Sequence, residues 1–205
     1  MTEPGRAALA DWSRRLRPQR DGRGAVPRLW LVSDPARLPD PCAAAGRLPR
    51  GSGVLARGLP PLVLARLREI ARRRGLILLL GGNPAAALRA RCGLHLPDRP
   101  DPPRLQAFLA ARRRGAPWAR LSLAVHGRVA VARARRLGAD FGFVSPAFAT
   151  PSHPGAPGLG PLRWGQLARR LRRPAVALGG VAGATAGRLP RARLAGLAAI
   201  GALRR

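Results

Sequence analysis

The stretch LSLAVHGRVAVARARRLGADFGFVS, residues 121–145, holds two apolar runs with a helix-compatible segment between them. The runs, Leu121–His126 and Phe141–Ser145, lack the polar alternation of a half-exposed strand. That is the pattern of strands buried on both faces, as in a parallel sheet. Between them, Arg128–Leu137 repeats apolar residues at spacings of three and four, which predicts a helix. Strand, helix and strand in this order make one βαβ unit.

The same unit recurs in both directions along the chain. Further apolar runs lie at Leu29–Ser33, Gly53–Arg57, Leu76–Leu80, Gly93–Leu96, Ala175–Leu178 and Leu194–Ile200. Helix-compatible segments lie at Leu62–Arg74, Ala85–Arg91, Arg104–Arg114 and Leu162–Arg172. Eight buried runs separated by helices predict an α/β protein, a compact (β/α)8 TIM barrel over residues 28–205. Two units are degenerate. Pro35, Pro39, Pro41 and Pro49 leave the first helix short or lost, and Arg205 follows the eighth run with no eighth helix. Residues 1–27 are read as an N-terminal helix, Ala7–Leu16, and an Arg/Gly/Pro-rich lead-in, Pro18–Pro27. The segment around Trp12 is expected to cover the place of the missing helix.

Composition narrows the function classes. The 205 residues include 38 arginines, no lysine, no tyrosine and 9 acids, for a net charge of +29. Schiff-base catalysis, a lysine-dependent phosphate loop and a tyrosine acid are therefore excluded. Aromatic residues are 4% of the chain against 46% hydrophobic, so the core must be built from Leu, Ala and Val. Such a charge suggests nucleic acid. The arginines are scattered and form no arm or stripe, which fits compositional bias with arginine wherever a solvated residue is tolerated, and no specific nucleic-acid partner is expected. Cys42 and Cys92 fit no metal spacing and suggest a reducing compartment. With no signal-peptide core and no run long enough to span a membrane, the sequence reads as cytoplasmic, without a membrane partner.

In a parallel barrel the site lies at the C-terminal strand ends, so polar residues closing an apolar run are candidates. They are Ser33 and Asp34, Arg57, Gly81–Asn83, His95, His126, Ser145 and Gly179–Gly180. His126 and His95 each have two readings, an acid/base group near neutral pH or a histidine hydrogen-bonded in the barrel mouth. The loop SPAFATPSHPGAPGLG, residues 145–160, is long for a βα connection, and its Thr150, Ser152 and His153 are candidate donors to a phosphate. Gly179, Gly180 and Gly201 follow the seventh and eighth runs, where barrels bind phosphate through backbone amides.

The pieces LWLVSDP (29–35), CGLHLP (92–97), SLAVHG (122–127), LGADFGFVSPAFATPSHPGAPGLG (137–160) and PAVALGGV (174–181) resemble the thiamine phosphate synthase/TenI family, in its order. The resemblance implies a barrel that binds thiazole phosphate or thiamine phosphate at its mouth, with Gly180 and the Ile200, Gly201 and Ala202 backbone holding the phosphate. Synthase members of the family carry a Gln-x-Arg-x-Lys pattern on strand two, an Asn-Asp pair after strand three and a lysine in the sixth loop, and use Mg²⁺. Here Leu55, Arg57 and Leu59 stand in the first pattern, Leu80 and Gly81 in the second, and His153 in place of the lysine. Asp98 or Asp101 would supply a displaced carboxylate.

The chain is more similar to the TenI branch, whose activity is tautomerisation of thiazole carboxylate phosphate. That resemblance implies that His126 shuttles a proton while Arg57 and the glycine amides orient carboxylate and phosphate, with no metal and no cofactor. Two alternatives stand beside it: a Mg²⁺-dependent thiamine phosphate synthase, and a catalytically silent barrel that binds a phosphate ligand or regulates. The family likeness extends to a homodimer.

Overall fold

The computed structural model describes residues 3–150, 155 and 157–204. The chain opens with α1 (Glu3–Arg14) and an antiparallel hairpin of β1 (Arg20–Asp21) and β2 (Gly24–Ala25). There follow β3 (Leu29–Val32), α2 (Cys42–Gly46), β4 (Gly53–Ala56), α3 (Pro61–Arg74), β5 (Ile77–Gly81), α4 (Pro84–Ala90) and β6 (Gly93–Leu96). The second half runs α5 (Leu105–Arg113), β7 (Leu121–Val125), α6 (Arg128–Arg136), β8 (Phe141–Val144), α7 (Gly160–Leu171), β9 (Ala175–Ala177), α8 (Gly183–Ala186) and β10 (Leu194–Ala199). Strands β3 to β10 are parallel, neighbours in sequence are neighbours in space, and β10 pairs with β3 to close the barrel.

Each apolar run read from the sequence is one of these eight strands. Six runs extend one residue beyond the strand at the mouth end, since Ser33, Arg57, His126, Ser145, Leu178 and Ile200 lie just past the last strand residue. Prolines at the first turns of α3, α4 and α7 suit a position whose N–H has no intrahelical partner. Asn83, the one asparagine, caps α4 by accepting from the Ala86 N–H at 2.9 Å.

The pleat divides the apolar residues into two cores. One lies between barrel and helices; the other fills the barrel with Trp30, Val32, Leu55, Leu79, Phe141, Phe143, Val176, Ala195 and Ala198. Trp30 meets Phe141 and Phe143 with ring centroids 5.3 and 5.2 Å away, and its indole N–H donates to the Pro27 carbonyl at 2.8 Å. Opposite it, β4 must carry a glycine: a Cβ at Gly53 would stand 2.2 Å from the Trp30 ring.

The ends of the barrel are finished by the N-terminal segment. Read from the sequence as a loosened lead-in, Pro18–Pro27 instead contains the β1–β2 hairpin, which lies against the N-terminal end of the barrel. Its pairing is two residues long on each side, too short to leave a periodic signal. Arg120, 5% exposed at the foot of β7, donates to the Ala25 and Arg23 carbonyls at 2.9 and 3.1 Å. Asp21 lies 3.5 Å from the Arg120 Nε, and burial pushes its carboxyl up from the ordinary value.

After β10 there is one 3₁₀ turn, Gly201–Leu203, and among the described residues no α-helix follows β10. Helix α1 packs on that turn and on α8, over the seam between β10 and β3. Trp12 of α1 sits between the Arg15 and Arg191 guanidiniums, 5.3 and 5.2 Å from its ring. The short α8 was not expected from the sequence. It is held by Thr185, whose hydroxyl accepts from the Ala182 N–H at 2.9 Å and donates to the Gly180 carbonyl at 2.8 Å. Among the described residues no helix is long and apolar enough to cross a membrane.

Gly53→Ala should drive a methyl group into the Trp30 ring and lower unfolding stability by about 1–3 kcal/mol. Chemical denaturation followed by far-UV circular dichroism checks this, with a lower midpoint and an unchanged slope expected.

Candidate active site at the barrel mouth

Arg57 is the first residue past β4, and β3 determines where its guanidinium stands. Its backbone N–H donates to the Ser33 hydroxyl at 2.7 Å, its Nε donates to the Ser33 carbonyl at 3.0 Å, and its Nη2 donates to Asp34 at 3.0 Å. The stem crosses Gly81, where a Cβ would lie 3.1 Å from the Arg57 Cγ. One edge of the fork is thus anchored, while Nη1 makes no hydrogen bond among the described residues. Burial lowers the guanidinium from its ordinary value, and the Asp34 charge opposes that shift.

Asp34 is the hub of this corner. Its Oδ1 accepts from the backbone N–H groups of Ala36 and Arg37 at 3.2 and 3.1 Å. Its Oδ2 accepts from the Arg37 and Arg57 guanidiniums, both at 3.0 Å. The Arg37 side-chain hydrogen bond leads the forces that hold this carboxyl down to about 2.

His126 is the first residue past β7 and is exposed. Its Nδ1 lies 2.8 Å from the Ser145 carbonyl. A carbonyl only accepts, so the proton sits on Nδ1 and the neutral ring carries its lone pair on Nε2. His95 has the opposite environment. It is 6% exposed, its Nδ1 lies 3.0 Å from the Ser122 hydroxyl, and its ring stands edge-on to Phe143 at 5.1 Å. Burial first, then the charges of Arg57 and His126, push it down to about 3, so it is neutral near pH 7. Arg57 crosses Gly81, the register partner of His95, and His95 meets Ser122 on β7, the strand that His126 follows, so the three share one region of the mouth.

Gly179 and Gly180 turn the chain after β9 with φ of +85° and +63°, a conformation that disfavours side chains. The turn is clamped to the sixth loop: the Phe148 N–H donates to the Gly179 carbonyl at 3.0 Å, and a Cβ on Gly180 would be 2.5 Å from the Ala149 carbonyl oxygen. Ile200 leaves β10 partly buried, and Gly201 and Ala202 open the 3₁₀ turn. Among the described residues the N–H groups of Gly179, Gly180, Gly201 and Ala202 donate to no backbone acceptor outside the helices and strands. Thr150 is partly buried in the sixth loop; Ser152 and His153 lie outside the described residues.

Mg²⁺ takes oxygen ligands, usually one or two carboxylates together with substrate phosphates, and most carboxylates near the mouth are already engaged. Asp34 is committed to two arginines, and Asp101 accepts from the Arg133 Nε and Nη2 at 3.0 and 2.8 Å. That leaves Asp98 exposed after β6, and among the described residues no three His, Cys, Asp or Glu side chains converge. The thiols are no nucleophiles either, since burial pushes Cys42 up to about 11 and Cys92 up to about 12.

Sequence reading named Arg57 and His126 but missed what holds them. Ser33 and Asp34 were visible as strand-end polar residues, without any signal that they clamp Arg57. The Ser145 carbonyl that fixes the His126 proton is backbone and carries no residue-type signal.

The protein is a (β/α)8 barrel with polar groups gathered at the C-terminal strand ends, where barrels of this kind bind their ligands. The chain belongs to the thiamine monophosphate synthase family, whose model matches residues 63–203, more than half of its length. Membership places it among the barrels of thiamine biosynthesis. No curated protein matches the sequence. Among solved structures it is similar to the thiamine phosphate pyrophosphorylase of Pyrococcus furiosus, with a TM-score of 0.67, 20% identity and coverage of 84% of this chain and 85% of that one. It is also similar to the 2-keto-3-deoxy-6-phosphogluconate aldolase of Zymomonas mobilis ZM4, with a TM-score of 0.57, 20% identity and coverage of 93% and 84%. A 3-hexulose-6-phosphate synthase follows, with a TM-score of 0.57, 17% identity and coverage of 85% and 90%. At these identities the likenesses speak for the fold.

The low folded-state value of Asp34 has a sign that can be tested. Its stabilising contribution is complete above the ordinary carboxyl value of 3.8 and disappears as pH falls toward about 2. Asp34→Asn should remove that dependence, so the stability difference between wild type and variant should shrink by at most about 2 kcal/mol between roughly pH 5 and pH 2. Urea unfolding across this range measures it.

Proposed function

We propose that the protein binds a thiazole phosphate at the barrel mouth and moves a proton on it, converting a thiazole carboxylate phosphate tautomer to its aromatic form. The observation that carries this reading is the Nδ1–H of His126 held on the Ser145 carbonyl, which leaves Nε2 as an exposed base. Nε2 takes a proton from one carbon of the tautomer, and the imidazolium returns a proton at another. No group is gained or lost, so the reaction calls for no cofactor.

The other residues bind and orient. The free edge of Arg57 faces the substrate carboxylate, and the amides of Gly179, Gly180, Gly201 and Ala202 receive the phosphate, with Thr150, Ser152 and His153 as further donors from the sixth loop. His95, neutral and packed on Phe143, forms an uncharged wall that does not compete for the anion.

A second reading, the synthase that joins a pyrimidine diphosphate to thiazole phosphate, is favoured by the family's description and by Asp98, the exposed carboxylate after β6. Incubation with the thiazole carboxylate tautomer, alone and with hydroxymethylpyrimidine diphosphate and Mg²⁺, separates the two. Aromatised thiazole without metal supports the tautomerase. Thiamine phosphate formed only in the full mixture overturns it in favour of the synthase, and no product in either identifies a silent barrel.

His126→Ala should lower kcat by about 10² to 10⁴ with little change in KM, as expected for loss of a general acid/base. Unchanged turnover of the tautomer, followed by absorbance of the aromatic product, would remove His126 from the mechanism.

A further inference from the structure

A cleft of about 530 Å³ opens between α5 and α6, toward the end of the barrel opposite the mouth. Arg23, Arg112, Arg113 and Arg136 line it, over Leu109 and Leu137. Its volume falls in the range of small-ligand sites, roughly 300–1,000 Å³.

Two of the arginines are fixed in place. Arg112 donates to the Ala119 and Gly138 carbonyls at 3.1 and 2.8 Å and to Asp140 at 3.2 Å. Arg23 donates to the carbonyls of Ala116 and Arg112. Their side chains are only 15% and 14% exposed, and both neighbour the carboxylate of Asp140, which lies 3.9 Å from the Arg23 Nε, while the Asp21 charge also acts on Arg23. Burial, and then the charge of Arg112, push the Arg23 guanidinium below its ordinary value.

Arg113 and Arg136 stand exposed at the rim. Asp101 approaches Arg136 at 3.6 Å while already bound to Arg133. The C-terminal ends of α5 and α6 contribute roughly half a negative charge each. Counting Arg120 and Arg133, which share Asp21 and Asp101 with this group, six guanidiniums thus stand against the three carboxylates of Asp21, Asp101 and Asp140 and two helix ends, which leaves a positive excess in a partly desolvated setting.

We propose that this cleft is a second ligand site for a multiply charged phosphate-type anion, either inorganic pyrophosphate or the phosphate end of a small metabolite. The fixed pair Arg23 and Arg112 supplies the field. The rim pair Arg113 and Arg136 supplies forked donors, which match phosphate oxygens two at a time. Leu109 and Leu137 offer an apolar floor for the rest of a metabolite.

Calorimetric titration of the full chain at about 0.15 M ionic strength tests this, with inorganic pyrophosphate and glycerol 3-phosphate as probes. The variants are Arg113→Ala/Arg136→Ala, the mouth variant Arg57→Ala, and Arg169→Ala/Arg170→Ala as an exposed arginine pair on α7. The expected result is saturable binding, weakened about tenfold or more in the rim variant and unchanged in the other two. Stronger binding of pyrophosphate would show that charge selects the ligand; stronger binding of glycerol 3-phosphate would show that the apolar floor does. The proposal is overturned by absence of saturable binding, by full affinity in the rim variant, or by equal loss in the α7 variant, which would mark general charge attraction. Binding abolished by Arg57→Ala would place the anion at the mouth and overturn it as well.

Discussion

Closing eight short parallel strands leaves an interior of fixed volume, and everything else here depends on how that volume is filled. Trp30, Phe141 and Phe143 fill much of it, packed at centroid separations of 5.2–5.8 Å. In a chain with eight Phe and Trp residues altogether, three are spent on this one contact. The rings set the small residues around them: Gly53 gives way to Trp30, and Ala195 and Ala198 complete the wall on β10. Phe143 also supports His95, so the packing that closes the barrel continues directly into the floor of the mouth.

From that floor upward, position follows from the strands. Arg57 and His126 each stand one residue beyond a strand end, where the chain is anchored but no longer bound by the sheet. Their orientation comes from neighbouring strands: the residues after β3 hold the Arg57 fork, and the carbonyl after β8 holds the His126 ring. The same barrel gives two histidines opposite characters. His95 lies inside it and is neutral near pH 7 because burial, and then the nearby Arg57 charge, disfavour its charged form, whereas His126 lies outside the packed interior with one nitrogen fixed and the other open.

The strands were legible because parallel strands bury both faces and therefore read as uninterrupted apolar runs. Their partners were not. Asp34 and Arg57 are 23 residues apart and His126 and Ser145 are 19 apart, so contacts made by closure of the barrel leave no local trace. The hairpin and α8 escaped for a different reason. Two-residue strands and a four-residue helix are shorter than the periods used to recognise them, and both are held by long-range or side-chain hydrogen bonds rather than by propensity.

Arginine is where sequence and structure differ most. Scattered along the chain, the arginines suggest solvated filler, with Arg57 alone engaged in a site. Several instead tie the fold together. Arg112 spans two carbonyls and Asp140, Arg120 joins β7 to the hairpin, and Arg133 holds the Pro97 carbonyl and Asp101 at once. Each tie needs several donors held in one plane, which a guanidinium provides and a lysine ammonium does not. A chain without lysine thus has in every cation a fork able to bind carbonyls and carboxylates together. Where such forks outnumber the carboxylates they share, as between α5 and α6, the fold is left with positive charge available to an outside anion.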